Sequence, residues 1–258
     1  MLHGGEAHRP NPIVPPMKVA VISDVHGNVQ ALEAVLAAID ELQVDEIWSL
    51  GDVVGYGADP VRCMEIVDER AVVSLAGNHD LVVAGTIDID MFAHDARDAA
   101  EWSRTVLSQE QIDVLGARMP GGMREDVQMF HASIRDPVWE YIVDSRTAEL
   151  CLERQRRPLC LVGHSHVQLL WGYEGGELVG GTVAAGATLA YGEGPYIVNP
   201  GSVGQPRDGD PRAGYAVVDT EQGTATWHRA EYDIRAAQGA IRDAGLPLRL
   251  AARLAEGR

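Results

Sequence analysis

The sequence predicts an α/β fold, and three features of its hydrophobic pattern indicate this class. Short apolar runs of four or five residues recur along the chain, and helical periodicity separates the first three of them. Continuous apolar runs of this length are typical of strands that are buried on both faces. Strands that alternate with helices indicate βαβ units with right-handed crossovers. The last part of the chain instead shows short strand patterns between glycine-rich turns.

Five of the predicted strands end at polar residues that could bind metal ions. These strands are residues 19–22, 47–50, 72–76, 127–130 and 159–162. In an open α/β sheet the functional site lies beyond the carboxyl ends of the strands. We therefore expect the polar residues that follow these runs to lie together.

Helical patterns are predicted in four regions. Apolar residues recur at helical spacing over residues 31–39, and a shorter pattern with proline at its start covers residues 60–69. Residues 88–119 also favour helix, with Ser108 marking a helix start. Residues 234–254 form the fourth region, with a break expected at the glycine and proline near residue 246.

The half of the chain after Gly163 is predicted to be more antiparallel. We interpret it as a second sheet packed on the first. Its predicted strands are residues 168–173, 177–179, 196–199, 214–220 and 224–232.

Composition and charge exclude several classes of protein. With 46% hydrophobic and 23% charged residues, the 258-residue chain has a globular composition and is long enough for a substantial core. The formal net charge of −17 argues against strong binding to nucleic acid or to anionic membranes. An anionic substrate stays compatible with this charge if bound cations reverse the local field.

The cysteines and the N-terminus suggest a reducing compartment and an unstructured start. Cys63, Cys151 and Cys160 are odd in number and form no C-x-x-C motif, which favours reduced thiols in a cytoplasmic protein. No apolar run reaches the roughly 18 residues of a membrane-spanning helix. Residues 1–16 contain four prolines and no apolar signal core, so we expect a disordered tail before a single domain at 17–258.

Seven side chains at the predicted strand ends offer metal-ligand atoms. Carboxylates and imidazoles without cysteine suit Mn, Fe, Zn or Co better than Ca or a structural zinc. Seven ligands are too many for one tetrahedral ion, but they suffice for two ions if one carboxylate bridges them. The seven are Asp24, His26, Asp52, Asn78, His131, His164 and His166.

The order and spacing of these residues resemble those of the calcineurin-like metallophosphoesterases. The matching motifs are D-x-H at 24–26, G-D at 51–52, G-N-H-D at 77–80, a single histidine at 131 and G-H-S-H at 163–166. Residues 199–207, NPGSVGQPR, are similar to a segment of the small bacterial and archaeal phosphoesterases of this family. Each motif alone is weak, but five in the right order form a specific signal.

This resemblance implies a four-layer α/β/β/α sandwich with two mixed β-sheets and the hydrolysis of phosphoric esters. It assigns Asp24, His26, Asp52 and His166 to one metal ion, and Asp52, Asn78, His131 and His164 to the other. A hydroxide between the ions would attack phosphorus. His79 would be the general acid or charge stabiliser at the leaving oxygen. We expect His79 to point away from the ligand Asn78, its neighbour.

The chain departs from the protein phosphatases of this family at two positions. Gly55 and Tyr56 stand where those enzymes carry an Asp and an Arg, so the usual partner of His79 and one phosphate-binding cation are missing. Asp80 could orient His79 instead, or cap the following segment. Arg207 could contact phosphate, or lie in a solvated turn.

The missing guanidinium favours substrates that need fewer cationic contacts. We therefore expect small phosphodiesters or nucleotide-like esters, with no membrane or strong nucleic-acid partner. Two alternatives stay open: a phosphomonoesterase or protein phosphatase, and a non-catalytic metal-binding scaffold. Trp139 and the other tryptophans are expected to pack in the fold rather than to stack on a base. The physiological substrate, the native metals and the oligomeric state do not follow from the sequence.

Overall fold

The computed structural model describes residues 17–192 and 194–258. The expected disordered tail, residues 1–16, lies outside these ranges. The expectation that residues 17–258 form a single domain stays a prediction. The longest helices in the described ranges have 13 residues, and no helix there could cross a membrane.

Twelve strands in the described residues pair into two six-stranded sheets. The first sheet has the order β3-β2-β1-β11-β12-β9 and the second has the order β4-β5-β6-β10-β7-β8. Both sheets combine parallel and antiparallel pairs. The strands are β1 (Lys18–Ile22), β2 (Glu46–Ser49), β3 (Val73–Ser74), β4 (Gly121–Arg124), β5 (Val127–Phe130), β6 (Leu159–Val162), β7 (Gln168–Glu174), β8 (Glu177–Thr182), β9 (Thr188–Ala190), β10 (Tyr196–Pro200), β11 (Ala213–Asp219) and β12 (Thr224–Ala230).

Eight α-helices in the same ranges include all four predicted helical regions. The expected start at Ser108 is confirmed, because its side chain accepts a hydrogen bond from the Gln111 N–H at 3.2 Å. The expected break near residue 246 separates the last two helices. The helices are α1 (Val29–Glu41), α2 (Pro60–Arg70), α3 (Asn78–Val83), α4 (His94–Val106), α5 (Gln109–Ala117), α6 (Ser145–Leu152), α7 (Ile234–Asp243) and α8 (Leu248–Leu254).

Alternate residues of the central strands face different layers. In β1, Ala20 and Ile22 pack towards α1 and α2, whereas Val19 and Val21 pack between the two sheets. Side chains alternate between the two faces of a strand, so a strand buried on both faces reads as a continuous apolar run. This explains the pattern from which the strands were predicted.

The second sheet repeats this division and completes four layers. In β6, Leu159 and Leu161 face the first sheet, whereas Cys160 and Val162 pack against α6. Helices cover the outer face of the first sheet, and α6 covers that of the second. The expected α/β/β/α sandwich of two mixed sheets is confirmed.

The strands after residue 163 do not form a sheet of their own, and that expectation is wrong. Strand β11 pairs antiparallel with β1, whereas β10 pairs parallel with β6. The reason is burial on both faces: Tyr215 and Val217 of β11 pack towards the helices, and Val218 packs between the sheets. A strand that is buried on both faces is stable only inside a sheet that is covered on both sides, and the middle of the first sheet provides such a place.

Four short elements were not predicted: β4, β9, α3 and α6. Strand β9 has three residues and α3 has six, which is too short for a periodic pattern to emerge. Helix α6 does carry a start signal, because the Asp144 side chain accepts a hydrogen bond from the Thr147 N–H at 2.9 Å. Of these four elements, only α3 carries candidate site residues, Asn78 and His79.

Both sheets bring carboxyl strand ends to one edge of the sandwich. In the first sheet the Asp24 N–H donates to the Gly51 carbonyl at 3.0 Å, joining the ends of β1 and β2. In the second sheet the Gly163 N–H donates to the His131 carbonyl at 2.8 Å, joining the ends of β6 and β5. The loops that follow these strands therefore meet between the sheets.

Candidate metal centre and active site

The loops at this edge hold their ligand residues in a strained backbone conformation. Five of the seven candidate ligands have left-handed φ angles between 49° and 63°. For a residue with a side chain this costs roughly 1–2 kcal/mol, and such strain concentrates at functional sites. The five are Asp24, His26, Asp52, His164 and His166.

Asp52 lies at the centre of the site. Its Oδ2 is 3.6 Å from His26 Nε2 on one side and 3.4 Å from His131 Nε2 on the other. Its Oδ1 accepts a hydrogen bond from the His79 N–H at 2.8 Å. This bond fixes the carboxylate, so that Oδ2 faces both histidines.

One cluster contains Asp24, His26 and His166. His26 Nδ1 donates to the Val54 carbonyl at 3.1 Å, and His166 Nδ1 donates to the Gln205 carbonyl at 2.6 Å. Burial lowers the pKa of both rings, and in a neutral imidazole that donates through Nδ1 the Nε2 atom carries no proton. The two unprotonated Nε2 atoms nevertheless lie only 3.1 Å apart. Two lone pairs at this distance repel each other unless a cation lies between them.

One oxygen of the carboxylate in the same cluster also lacks a hydrogen-bond partner. Asp24 Oδ1 is buried without a hydrogen bond and lies 3.4 Å from His166 Nε2. Ligands about 2.0–2.2 Å from a common ion lie roughly 3.0–3.6 Å apart, which matches these separations. The donor set and its spacing fit a transition-metal ion.

A second cluster lies on the other side of Asp52. His131 Nδ1 donates to the Leu50 carbonyl at 3.0 Å, and its Nε2 faces Asn78 Oδ1 at 3.2 Å as well as Asp52. His164 donates Nε2–H to the Trp139 carbonyl at 3.3 Å, which leaves Nδ1 as its ligand atom. Backbone carbonyls thus fix the tautomer of each ring, as is usual for metal-binding histidines.

The structure brings all seven predicted ligands together, and each is at most 4% exposed. Asp24, His26 and His166 lie close enough together to hold one ion, and so do Asp52, His131 and His164. A third, overlapping group joins Asp52 to His26 and His79. The division of the seven ligands between two ions stays a prediction. His164 also ties the two sheets together, because its N–H donates to Asp24 Oδ2 at 3.0 Å. The ligand set therefore depends on the packing of both sheets.

Burial controls the protonation of these groups in the metal-free protein. It raises the pKa of Asp24 from 3.8 to about 7. Burial, followed by the charge of Arg207, lowers the pKa of His26 and of His166 well below 6.5. Burial thus disfavours the charged forms of these side chains. Bound cations would instead favour the charged form of the carboxylates.

Asp80 fixes the loop that carries Asp52 rather than orienting His79. Its carboxylate accepts hydrogen bonds from the N–H groups of Asp52, Val53, Val54 and Gly77 at 2.7–3.1 Å. Of the two expectations for Asp80, capping of its own helix α3 is therefore the one that the structure supports. The same carboxylate also links α3 to the loop after β2.

His79 packs against Gly55, the position at which the protein phosphatases of the family carry an aspartate. A Cβ atom on Gly55, whose φ is +86°, would lie 2.4 Å from His79 Nδ1. That nitrogen is buried without a hydrogen bond, and the ring packs between Tyr56 and Phe92 at 4.4 Å each. Burial lowers the pKa of His79 well below 6.5. His79 and Asn78 both line one cavity, and the expectation that they point apart stays a prediction.

Arg207 enters this cavity rather than lying in a solvated turn. The cavity has a volume of about 270 Å³ and is lined by Asp52, His79, His164 and Arg207. Arg207 donates to the Gln205 side chain at 2.8 Å. Its position puts a cation beside the candidate metal centre.

Aromatic residues form the rest of the cavity wall, and no motif of the sequence pointed to most of them. Tyr56, Phe92, Trp139 and Tyr141 line the cavity. The Tyr141 ring stacks on His164 at 4.1 Å and is 46% exposed. Trp139, expected to pack in the fold, instead lies at this wall because the loop between β5 and α6 folds over the strand ends.

Residues 17–223 match the family model of the calcineurin-like phosphoesterase superfamily domain. The chain belongs to this superfamily, and it is a phosphoric ester hydrolase. A metallophosphoesterase from Sphaerobacter thermophilus has a similar crystal structure, with 41% identity and a TM-score of 0.85. The match covers 94% of this chain and 100% of that one.

Two relatives are similar in sequence to different extents. An uncharacterized protein of Methanocaldococcus jannaschii is 35% identical over 246 residues, covering 93% of this chain and 98% of the relative. A symmetrical bis(5'-nucleosyl)-tetraphosphatase of Actinobacillus pleuropneumoniae is 28% identical over 103 residues. That match covers 34% of this chain and 38% of the relative.

We expect Asp80→Asn to destabilise the protein by about 2–4 kcal/mol, because an amide cannot accept all four backbone N–H bonds and presents its own donor to one of them. Urea denaturation would measure the change. Asp88→Asn, at an exposed carboxylate that accepts one backbone hydrogen bond, is the control. Equal stability of the two variants would contradict the role given to Asp80.

We expect Asp24→Asn to be more stable than the unaltered chain at pH 8 without metal. The folded-state pKa is raised, so burying the Asp24 charge costs stability as pH rises from 3.8 through about 7, by up to about 4 kcal/mol. The advantage of Asn should shrink as the pH falls and vanish below about pH 4. Thermal melting in EDTA across this range measures it, and a variant less stable at pH 8 would refute the argument.

Proposed function

We propose that the chain hydrolyses phosphoric esters with two divalent metal ions, and that its substrates are small phosphodiesters or nucleotide-like esters. The observation that carries this proposal is the position of Asp52 Oδ2 between His26 Nε2 and His131 Nε2. A single carboxylate oxygen between two histidine-containing clusters is the arrangement that a bridged pair of ions requires. An intact ligand set also argues against a non-catalytic scaffold.

In this proposal the two clusters hold one ion each and share Asp52. Asp24, His26 and His166 complete the first site, and Asn78, His131 and His164 complete the second. The ions, of the Mn, Fe, Zn or Co class, would supply an activated water and neutralise phosphoryl oxygens. Asp80 and the backbone carbonyls would keep the ligands in place as charge changes at phosphorus.

His79 would stabilise the leaving oxygen as a neutral hydrogen-bond donor. Its pKa is lowered by burial, and Gly55 leaves it without the carboxylate that would favour a cationic ring. Of the two roles that the resemblance implies, this supports the charge stabiliser over the general acid. Arg207, which lines the same cavity, would contact the phosphoryl group.

The aromatic wall supports nucleotide-like substrates. Phe92, Trp139 and Tyr141 offer planar apolar surface within reach of the candidate metal centre. Stacking of a base on an aromatic side chain is worth about 1–3 kcal/mol. The bis(5'-nucleosyl)-tetraphosphatase relative is named for a nucleotide substrate, although its match covers only a third of this chain.

The three buried, free cysteines are consistent with a cytoplasmic protein.

Metal loading tests the proposed activity. We expect two ions per chain after incubation with Mn or Zn, hydrolysis of bis(4-nitrophenyl) phosphate, and loss of activity with EDTA. Asp52→Asn should lose more activity than Asn78→Ala, because Asp52 would contact both ions. Elemental analysis that finds one ion or none would contradict the bridged pair.

The same assay compares substrate classes. The diester should exceed 4-nitrophenyl phosphate and a phosphotyrosine peptide in kcat/KM, because the phosphatase arginine is replaced by Tyr56. A tenfold preference for the monoester or the peptide would support the phosphomonoesterase alternative.

We expect His79→Ala to lower kcat by about 10²–10⁴-fold for esters with an alkyl leaving group. The loss should be much smaller for 4-nitrophenyl esters, since nitrophenolate departs without a hydrogen-bond donor. Steady-state rates on matched methyl and 4-nitrophenyl esters measure the difference. An equal loss on both would mean that His79 does not act at the leaving oxygen.

A further inference from the structure

Two arginines from separate parts of the chain converge on the Tyr56 ring. Arg207 follows β10, and Arg253 lies on α8, beyond the residues that match the family model. Their Cζ atoms lie 5.7 Å and 6.0 Å from the centroid of the ring. Tyr56 in turn packs against His26 and His79, at 4.7 Å and 4.4 Å. The pair of guanidinium groups therefore adjoins the candidate metal centre.

Neither guanidinium forms an ion pair with a carboxylate in the described part of the chain. Both donate instead to one neutral acceptor, Gln205 Oε1, at 2.8 Å from Arg207 and 3.2 Å from Arg253. The Nε atoms of both arginines are buried without a hydrogen-bond partner. Arg229, close in space to the same loop, is by contrast paired with Asp208.

Such an arrangement is costly in the free protein. Like charges that share one acceptor repel each other, and burial followed by the charge of Arg207 lowers the pKa of Arg253. The charges of Asp24 and Asp52 attract Arg207, and that of Asp95 attracts Arg253, but none of these carboxylates lies within ion-pair distance of either guanidinium. Two neighbouring guanidinium groups with N–H donors that lack a partner suit a phosphate, because a phosphate accepts several charge-assisted hydrogen bonds at once.

The two arginines differ in their distance from the metal ligands. Arg207 lines the cavity with Asp52, whereas Arg253 lies outside the cavity lining and contacts Tyr56 and Gln205. A group bound by both would therefore lie next to the reacting phosphorus rather than on it. Gln205 links this position to the metal centre, because its backbone carbonyl orients His166.

We propose that Arg253, together with Arg207, binds a second phosphoryl group adjacent to the one that reacts, so that the chain prefers esters of nucleoside diphosphates over those of monophosphates. This inference rests on the proposed function and names its substrate class more closely. It makes Arg253 a substrate-binding residue contributed by the C-terminal helix.

Two synthetic substrates with the same leaving group test the proposal. They are the 4-nitrophenyl esters of thymidine 5'-monophosphate and of thymidine 5'-diphosphate on the terminal phosphate, both at saturating Mn. The unaltered chain should show at least a tenfold higher kcat/KM on the diphosphate ester, mainly through KM. Arg253→Gln should lose most of this preference while changing kcat/KM on the monophosphate ester less than threefold. Arg253→Lys should keep part of it.

Arg249→Gln is the matched control, because it removes the same charge one turn earlier on α8 from an exposed position. It should retain the preference for the diphosphate ester. The proposal is overturned if the unaltered chain shows no preference, or if Arg253→Gln keeps it. An equal loss on both substrates would also overturn it, because Arg253 would then only position Arg207. Thermal melting of each variant checks that it is folded.

Calorimetry in EDTA gives a second readout that does not depend on turnover. The metal-free unaltered chain should bind thymidine 5'-diphosphate at least tenfold more tightly than the 5'-monophosphate, and Arg253→Gln should reduce this difference to less than threefold. Equal affinities in the unaltered chain would refute the proposal. If neither ester is hydrolysed with metal, the proposed function fails, while the calorimetric result still decides the role of Arg253.

Discussion

One buried carboxylate oxygen, Asp52 Oδ2, connects the two halves of the site. It lies between histidines that follow strands of different sheets, so its surroundings exist only when both sheets pack together. Its orientation depends in turn on the His79 N–H and on Asp80, which holds the surrounding loop by four backbone N–H groups. The left-handed φ angles of the ligand loops are tolerated because this network and the two strand ends fix each residue.

The site is built from groups that oppose one another without a cation. Histidine lone pairs face each other at 3.1 Å, and burial raises the pKa of Asp24 to about 7. In the proposed function this conflict explains metal dependence, because the contacts that weaken the metal-free protein would become favourable ligand bonds when ions bind. The stability of the free protein and the affinity for metal are expected to change in opposite directions when Asp24 is replaced.

Positive charge is concentrated where an anionic substrate must approach. The chain has a net charge of −17, to which the buried carboxylates of its candidate centre belong. Arg207 and Arg253 beside Tyr56 offset this field locally, without the arginine that protein phosphatases carry at the position of Tyr56. The aromatic wall and the arginines together suggest that recognition extends beyond the reacting phosphorus.

The sequence by itself determined the central strands, the candidate ligand set and the family. Strands buried on both faces leave continuous apolar runs, and ligand residues follow them directly, so local pattern carried this information. Only the tertiary structure decided which sheet received β11, that Asp80 holds a loop rather than orienting His79, and that Arg253 lies beside Tyr56. These depend on contacts between residues far apart in the chain: Arg253 meets Gln205 across 48 positions, and no local pattern records such a contact.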